Sequence, residues 1–390
     1  MLNFDFYNPT HISFGEGKIA ELDTLVPKSA RVLILLGGGS AKQNGTLEQV
    51  IQALGNRYVK EFSGIEPNPT YETLMQAVEK VKTDDIDFLL AVGGGSVIDG
   101  TKFIAAAVYY EGEPWNILLT RGSDIAKAMP FGSVLTLPAT GSEMNSGSVV
   151  TRKETLDKLY FKSNTTYPQF SILDPTRSYT LPPRQLANGV IDAFTHTVEQ
   201  YLTFPVGAAV QDRFAEGLLQ TLIETGPALL EAPTDYTLQS NLMWTATLAL
   251  NGLIGAGVPQ DWATHMIGHE ITALHGLDHA QTLAIILPTM LDIRREEKKA
   301  KLLQYAERVW HITEGTDNER IDKAINNTRE FFEKLGVKTY LNQYDINEKA
   351  IDPLIKSLEE HGMTLLGEHD TVNIEVSRQI LNASYSEGSI

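Results

Sequence analysis

The chain has 390 residues, more than one hydrophobic core usually supports, so we expect two domains. Its composition, 42% hydrophobic and 21% charged, is typical of a soluble globular protein, and its formal net charge of -17 argues against nucleic-acid binding. Because the sequence contains no cysteine, disulfides, thiolate metal ligands and thiol nucleophiles are excluded, and any metal site needs nitrogen and oxygen ligands.

The N-terminal stretch MLNFDFYNPT lacks the basic region and apolar run of a secretion signal. The longest apolar stretches, such as Leu283–Pro288, are too short to cross a bilayer. We therefore expect a cytoplasmic protein that has no membrane partner.

Three apolar runs in the first half of the chain are each followed by glycines or other small residues. They are RVLILL (Arg31–Leu36), DFLLAV (Asp87–Val92) and SVLTLP (Ser133–Pro138). Unbroken runs of this length predict strands buried on both faces, as in parallel sheets. Between the first two, the segment Pro69–Lys82 has helical periodicity and places on one face Leu74, Ala77, Val78 and Val81. Strands that alternate with helices indicate an α/β domain of the βαβ type.

From about Leu181 the pattern changes to long amphipathic stretches without a convincing strand. Examples are QDRFAEGLLQTLIETGPALLEA and AKLLQYAERVWHIT. The prolines of Leu173–Gln185 interrupt the pattern between the two halves. We therefore predict an α/β domain over residues 1–180 and an all-helical domain over residues 181–390.

The first two predicted strands both run into the sequence GGGS. In Ala91–Lys102 the glycines precede a helix start, which lets backbone amides approach a phosphate. This segment is neither a P-loop nor the G-x-G-x-x-G fingerprint, so a tight turn without a ligand is the alternative. The loop Leu35–Gly45 lacks the acidic residue with which NAD-selecting folds bind the ribose. Its small residues, the Ser40 hydroxyl and the nearby Lys42 would accept a 2′-phosphate, so the loop favours NADP over NAD. Taken alone, Lys42 is more typical of a solvated surface lysine.

Four of the nine histidines fall between His265 and His279. On a helix predicted over Asn188–Leu202, Asp192 and His196 are four residues apart and share one face. His265 and His269 repeat this spacing on a second helix, which Gly276 ends. Asp278 is placed to cap a following helix, which we expect to end before Pro288.

The spacing of these histidines decides between kinds of metal site. His269-Glu270 is followed by His275 six residues after His269, which excludes the H-E-x-x-H helix of zinc peptidases. A lone Asp-x-x-x-His pair is usually structural, but its combination with a histidine cluster favours a metal centre. One carboxylate and three imidazoles suit Zn²⁺ or Fe²⁺ and leave a position for a substrate oxygen.

The motifs GGGSVIDGTK, LPATGSE, DAFTHTVEQ and HMIGHEITALHGLDHA are similar to those of the iron-containing (group III) alcohol dehydrogenase family. The similarity runs from NPTHISFGEG near the start to EHGMT near the end. GGGSAKQNG, GIEPNP and VPQDWATHMIGHE resemble in particular the branch of NADPH-dependent aldehyde reductases and butanol dehydrogenases. The resemblance implies a Rossmann-like dinucleotide-binding α/β N-terminal domain, an all-helical C-terminal domain, and an active site in the cleft between them.

The resemblance also implies roles for individual residues. The implied ligands of an Fe²⁺ or Zn²⁺ ion are Asp192, His196, His265 and His279. The residues implied in NADP(H) binding are Gly38, Gly39, Ser40, Asn68, Gly94, Gly95, Ser96, Asp99, Thr136, Thr140, Asn145, Gly147 and Lys158. His269, which matches a histidine near the nicotinamide, and Asp99 are the implied catalytic residues. NAD-preferring relatives tend to carry Asp at the position of Gly38.

The implied reaction is reversible hydride transfer from NADPH to short- or medium-chain aldehydes, which gives primary alcohols. The metal would act as a Lewis acid on the aldehyde oxygen, and the nicotinamide would deliver the hydride. His269 is the candidate for the proton relay, with simple packing against the nicotinamide as the alternative. The nearest alternative function is an NAD-linked polyol dehydrogenase of the glycerol type, followed by a metal-dependent hydrolase and a catalytically idle nucleotide-binding protein. We expect a homodimer with a small aldehyde or alcohol as its partner molecule.

Overall fold

The computed structural model describes residues 1–388, and the chain forms two compact units. The α/β unit comprises Tyr7–Leu181 and Pro233–Asn251, and the helical unit comprises Met1–Phe6, Pro182–Ala232 and Gly252–Ile390. Two segments lie in a different unit from the one that the predicted boundary at residue 180 would give them. Pro233–Asn251 joins the α/β unit, where Thr247 donates a hydrogen bond to Glu143. Met1–Phe6 joins the helical unit, where the Leu2 amide donates to the Gly257 carbonyl at 2.8 Å.

The elements alternate in the first part of the chain and are mainly helical afterwards. The strands are, in chain order, β1 (His11–Phe14), β2 (Arg31–Leu36), β3 (Tyr58–Ser63), β4 (Phe88–Gly94), β5 (Phe131–Leu137), β6 (Gly147–Arg152), β7 (Asp157–Lys162), β8 (Phe170–Leu173), β9 (Leu365–Leu366) and β10 (Val372–Asn373). The α-helices are, in chain order, α1 (Leu22–Leu25), α2 (Ser40–Gln43), α3 (Thr46–Leu54), α4 (Tyr71–Thr83), α5 (Gly95–Ala107), α6 (Asn116–Leu119), α7 (Pro183–Tyr201), α8 (Ala209–Glu231), α9 (Tyr236–Ala249), α10 (Ala263–His275), α11 (His279–Ile293), α12 (Lys299–Arg308), α13 (Asp317–Lys334), α14 (Ile351–Glu360) and α15 (Ile374–Ala383).

The three strands predicted from apolar runs are confirmed. β2 has the predicted bounds, and β4 and β5 differ from them by one or two residues at each end. Side chains of β2 alternate between two cores, because Leu33 packs in one hydrophobic cluster and Val32 and Ile34 pack in another. The predicted helix over Pro69–Lys82 corresponds to α4, whose four predicted core residues are buried.

Within residues 1–388, six strands form a parallel sheet in the order β1-β8-β5-β4-β2-β3, and β6 and β7 form a separate antiparallel hairpin. β2 pairs with β3 on one side and with β4 on the other, so the chain changes direction across the sheet at β2. Ligands of such sheets bind beyond the carboxyl ends of the strands at this switch point. The first GGGS segment follows β2 and the second spans the end of β4, so the two segments flank that position.

The second part of the chain is helical as predicted, apart from the two-residue strands β9 and β10. α10 ends at His275, and Gly276 follows with a φ of 71°, a left-handed conformation that favours glycine. α11 begins after Asp278 as predicted but continues through Pro288 to Ile293, because buried side chains on both sides of the proline hold this helix in place. Within residues 1–388, no helix combines the length and apolar character that crossing a bilayer requires.

Gly132 in β5 and Gly217 in α8 provide a matched test of the sheet packing. A Cβ atom at Gly132 would lie 2.2 Å from Cζ of Phe170, whereas a Cβ atom at Gly217 would meet nothing within 4 Å. We expect Gly132→Ala to lower the free energy of unfolding by about 1–3 kcal/mol through overpacking. Gly217→Ala should raise it by up to about 1 kcal/mol, because alanine favours the helix. Urea unfolding followed by circular dichroism measures both changes, and an unchanged midpoint for Gly132→Ala would contradict the described packing.

Candidate active site

Three helices of the helical unit bring imidazole nitrogens around one buried carboxylate, that of Asp192. α7 carries Asp192 and His196, α10 carries His265, and α11 begins with His279. Nε2 of His196 and Nε2 of His279 each lie 3.7 Å from Oδ1 of Asp192, and Nε2 of His265 lies 4.0 Å from it. The structure therefore brings together the four residues predicted as metal ligands.

The geometry and the donor atoms fit a divalent metal ion. Ligand atoms bound at about 2.1 Å in a tetrahedron lie about 3.4 Å apart. The separations of 3.7–4.0 Å are slightly above that value and are too long for hydrogen bonds. Donor atoms of Asp192, His265 and His279 lie within 4.8 Å of one another, while His196 joins the group through its contact with Asp192. One carboxylate oxygen with imidazole nitrogens suits Zn²⁺ or Fe²⁺.

Local structure explains why these side chains meet. Asp192 and His196 are one turn apart on α7, so their side chains project from the same face. Asn188, one turn before Asp192, donates a hydrogen bond of 2.8 Å from Nδ2 to Oδ2 of Asp278. Asp278 is the residue that precedes α11, so this bond ties α7 to the helix end from which His279 projects.

Glu199, which was not predicted from the sequence, contacts this cluster. Its Oε2 contacts Nδ1 of His265, and its Oε1 accepts a hydrogen bond of 2.7 Å from the Thr264 amide. The side chain is buried, at 3% exposure. Glu199 follows Asp192 and His196 at the spacing i, i+4, i+7, and this shared helix face is the sequence signal that marks it.

A second buried charge cluster lies at the start of α10. Nζ of Lys298 donates to Asp261 at 2.7 Å, to both oxygens of Glu368 at 2.8 Å and to the Leu202 carbonyl at 2.7 Å. The other oxygen of Asp261 accepts from the Ala263 amide at 2.8 Å, which satisfies a free amide in the first turn of α10. Between them, Trp262 adopts a left-handed φ of 63°. These contacts determine where α10 begins.

Burial and neighbouring charges shift the pKa values of several groups in the helical unit. Burial lowers the pKa of His196 to about 4, so this imidazole is neutral at neutral pH, as metal coordination requires. Burial raises the pKa of the Glu199 carboxyl well above its usual value, and it raises the pKa of Glu368 to about 7. Burial alone would lower the pKa of Lys298, but the carboxylates of Asp261 and Glu368 outweigh this effect and raise it.

The other residues of the histidine-rich segment lie at different depths. His269 is buried on α10, with its ring centre 5.1 Å from that of His279 and 6.4 Å from that of His265. His275, at the end of the same helix, is exposed. The Trp262 ring lies 5.4 Å from that of His265 and 6.1 Å from that of His196, so it places an apolar surface beside both imidazoles.

The two glycine loops of the α/β unit differ in the space that they leave for a side chain. Gly94 ends β4 and Gly95, followed by Ser96, begins α5; a Cβ atom at Gly95 would lie 2.3 Å from Oγ1 of Thr140. After β2, Gly39 has a φ of 111° and is followed by Ser40, the first residue of α2. A Cβ atom at Gly38 would meet nothing within 4 Å, so a side chain can be accommodated there.

The remaining residues predicted to bind the cofactor belong to the same unit. Thr136 is part of β5, and Oγ1 of Thr140 accepts a 3.2 Å hydrogen bond from the Ser142 amide. Nζ of Lys158, on β7, donates to Oδ1 of Asn68 at 2.9 Å. Lys42, near the first glycine loop, forms a partly exposed ion pair of 3.0 Å with Glu61, so its charge is partly compensated at the surface.

Lys102, for which no role was predicted from the sequence, organises the loop between β5 and β6. Its buried Nζ donates to Ser142 at 2.8 Å, to Oδ1 of Asn145 at 2.8 Å and to the Gly147 carbonyl at 2.7 Å. Asp99, one turn earlier on α5, accepts from the Ser142 hydroxyl and from the Val149 amide. Burial lowers the pKa of Lys102 to about 8 and raises that of Asp99. The position of Lys102 within GGGSVIDGTK is the signal that could have identified it.

Two family models match the chain. The model described as iron-containing alcohol dehydrogenase matches residues 9–175, and the model of the C-terminal part of the Fe-containing alcohol dehydrogenase family matches residues 186–384. The chain is 61% identical over 386 residues to the NADPH-dependent aldehyde reductase YqhD of Escherichia coli, which covers 98% of this chain and 100% of that protein. It is 41% identical over 389 residues to the probable NADH-dependent butanol dehydrogenase 1 of Bacillus subtilis, with 98% and 100% covered.

Solved structures agree with these matches. A crystal structure of E. coli YqhD is similar with a TM-score of 0.97 at 61% identity, over 98% of this chain and 99% of that chain. The NADH-dependent butanol dehydrogenase A of Thermotoga maritima is similar with a TM-score of 0.95 at 34% identity, over 99% of each chain. The chain therefore belongs to the iron-containing alcohol dehydrogenase family.

Proposed function

We propose that the protein is a metal-dependent, NADP(H)-linked alcohol dehydrogenase that reduces short- or medium-chain aldehydes to primary alcohols in a reversible reaction. The cluster of one carboxylate and three imidazoles on α7, α10 and α11 carries this proposal. The 61% identity to a protein named as an NADPH-dependent aldehyde reductase supports the substrate class and the cofactor. A metal-dependent hydrolase would use the same cluster but would have no use for two glycine loops at a switch point of a parallel sheet.

Asp192, His196, His265 and His279 would hold Fe²⁺ or Zn²⁺ through one carboxylate oxygen and the three Nε2 atoms. When bound, such an ion supplies Lewis-acid chemistry that stabilises negative charge developing on the aldehyde oxygen. The chain contributes the His196 imidazole, which burial keeps neutral by lowering its pKa to about 4. The Trp262 ring offers the alkyl part of the aldehyde an apolar surface beside His196 and His265.

The loops after β2 and β4 would hold the cofactor, which supplies the hydride when bound. Backbone amides at the start of α5, around Gly95 and Ser96, suit the pyrophosphate because they point out of the helix end. The open space at Gly38, the Ser40 hydroxyl and the absence of an acidic side chain in this loop suit a 2′-phosphate. Lys158, oriented by Asn68, adds a positive charge within the same unit.

His269 is the residue that we propose for moving a proton to the product oxygen. It is buried next to His279 and lies on the same face of α10 as His265. Packing against the nicotinamide is the alternative role. Because both oxygens of Asp99 accept hydrogen bonds from residues 142 and 149, we propose that Asp99 shapes this loop around the cofactor.

Cofactor oxidation with a short-chain aldehyde tests the proposed function. We expect the purified protein to oxidise NADPH faster than NADH, to lose this activity after chelation, and to regain it with Fe²⁺ or Zn²⁺. Activity that survives complete removal of the metal would contradict the role of the cluster. A preference for NADH would contradict the cofactor assignment.

The variant His196→Ala tests the ligand assignment, with His275→Ala as the matched control. Loss of a Lewis acid that supplies several kcal/mol should reduce kcat/KM by about 1000-fold, together with the bound metal measured by mass spectrometry. His275→Ala should retain both, because His275 is exposed at the end of α10. If His196→Ala keeps its metal and its turnover, His196 is not a ligand.

The variant Gly38→Asp tests the recognition of the 2′-phosphate. Gly38 has space for a side chain, and a carboxylate there would repel the phosphate and could bind the ribose hydroxyls instead. We expect the ratio of kcat/KM for NADPH to that for NADH to fall by about 10–100-fold. Gly38→Asn, which adds the same volume without charge, should change the ratio much less. Equal ratios in Gly38→Asp and the unmodified protein would refute the assignment.

We also propose an oligomeric state and a cellular location for the protein. A homodimer is supported by the family resemblance and by the exposed apolar side chains of Leu2, Phe4 and Phe6 near the N-terminus. A cytoplasmic location is supported by a sequence without cysteine, which needs no oxidising compartment.

A further inference from the structure

The buried side chain of Glu199 contacts two groups that lie next to each other on α10. Oε1 accepts from the Thr264 amide at 2.7 Å, and Oε2 contacts Nδ1 of His265. The Thr264 amide belongs to the first turn of the helix, where backbone amides have no partner within the helix. Glu199 therefore caps α10 and contacts an imidazole with the same side chain.

When its carboxylate is ionised, Glu199 can only accept a hydrogen bond at this contact, which places the proton of a neutral His265 ring on Nδ1. A neutral imidazole has one N–H group and one nitrogen with a lone pair. With its proton on Nδ1, directed at Oε2 of Glu199, the ring presents the lone pair of Nε2. That atom is the one that lies 4.0 Å from Oδ1 of Asp192, on the side of the cluster where the cation is proposed. The orientation and the tautomer of the ring thus depend on the same carboxylate.

The position of Glu199 is itself held from two sides. On α7 it shares the helix face of Asp192 and His196. The Asp261 amide donates to the Glu199 backbone carbonyl at 2.9 Å, and Lys298 anchors the Asp261 side chain at 2.7 Å. The start of α10 is therefore fixed relative to Glu199, so neither partner of the His265 contact is free to turn away.

We propose that Glu199 is a positioning residue that keeps His265 in the tautomer protonated on Nδ1 and so prepares Nε2 to bind the metal ion. The inference rests on the proposed function, because it requires that His265 is a metal ligand. It adds a residue that does not contact the metal ion and yet sets the affinity for it.

A glutamine at this position cannot replace the carboxylate. An amide side chain has one acceptor oxygen and one NH₂ donor, whereas two donors, the Thr264 amide and Nδ1–H of His265, face this side chain. If the oxygen remains with Thr264, the NH₂ group faces His265 and favours the tautomer with its proton on Nε2. That proton occupies the lone pair with which His265 would bind the metal ion.

Zn²⁺ affinity provides the test, measured by competition with a chromophoric chelator on the full-length protein. We expect Glu199→Gln to raise the Kd for Zn²⁺ by about 10–100-fold, as removal of such partners does in other metal sites. Glu216→Gln is the matched control, because Glu216 is a carboxylate of similar burial, 5% against 3% exposed, that contacts Tyr201 and Arg308. Its Kd for Zn²⁺ should remain within about twofold of that of the unmodified protein, because substitutions that share no partner with a site have little effect on it.

The possible outcomes separate the inference from the proposed function. Equal Kd values for Glu199→Gln and the unmodified protein would overturn the inference alone, and so would an equal loss in both glutamine variants. An unmodified protein that binds no Zn²⁺ would overturn the proposed function and, with it, the inference.

NMR of the Zn²⁺-loaded, unmodified protein with ¹⁵N-labelled histidine tests the same point if Glu199→Gln does not fold. We expect the His265 signals, assigned by their loss in His265→Ala, to show a proton on Nδ1 that is strongly deshielded by the carboxylate. A His265 ring with its proton on Nε2 would overturn the inference.

Discussion

The helical unit buries four carboxylates close to the start of α10, and the rest of its site depends on how their charge is compensated. Lys298 contacts Asp261 and Glu368 directly. Glu199 is held by the Thr264 amide and His265, and Asp192 lies among the imidazoles. Buried carboxylates are costly without positive charge or hydrogen-bond donors. A divalent cation beside Asp192, as proposed, would add positive charge where the helices already direct their nitrogen atoms.

Each unit uses a buried lysine to shape a loop or helix end next to its candidate site. In the helical unit, Lys298 anchors Asp261 and with it the turn at Trp262 that starts α10. In the α/β unit, Lys102 binds three groups of residues 142–147. An ammonium group can satisfy several acceptors at once, so each lysine fixes a segment of irregular backbone that a single neutral hydrogen bond would leave less defined.

Local patterns in the sequence predict much of this structure, because they depend on residues close together in the chain. β2, α4 and the helix break at Gly276 follow from apolar runs, helical periodicity and the conformational freedom of glycine. The pairs Asp192–His196 and His265–His269 could be recognised for the same reason, because each pair is spaced by one helical turn. Glu199 could have been found from its spacing on α7, although no residue beside it in the sequence indicates that it contacts His265.

Other features depend on contacts between distant residues and have no local signal. Lys298 is 37 residues from Asp261 and 70 residues from Glu368, so no local sequence pattern predicts that the three side chains meet. The passage of α11 through Pro288 contradicts the local rule for proline, because tertiary packing outweighs one lost hydrogen bond. The return of Pro233–Asn251 to the α/β unit is likewise decided by packing alone.

The most direct measurement follows the transferred hydrogen. NADPH that carries deuterium at both C4 positions of the nicotinamide would be supplied with a short-chain aldehyde to metal-loaded and to metal-stripped protein. We predict that the loaded protein produces alcohol with one deuterium on the carbinol carbon and that the stripped protein produces almost none. Alcohol without deuterium, or equal rates in the two preparations, would contradict it.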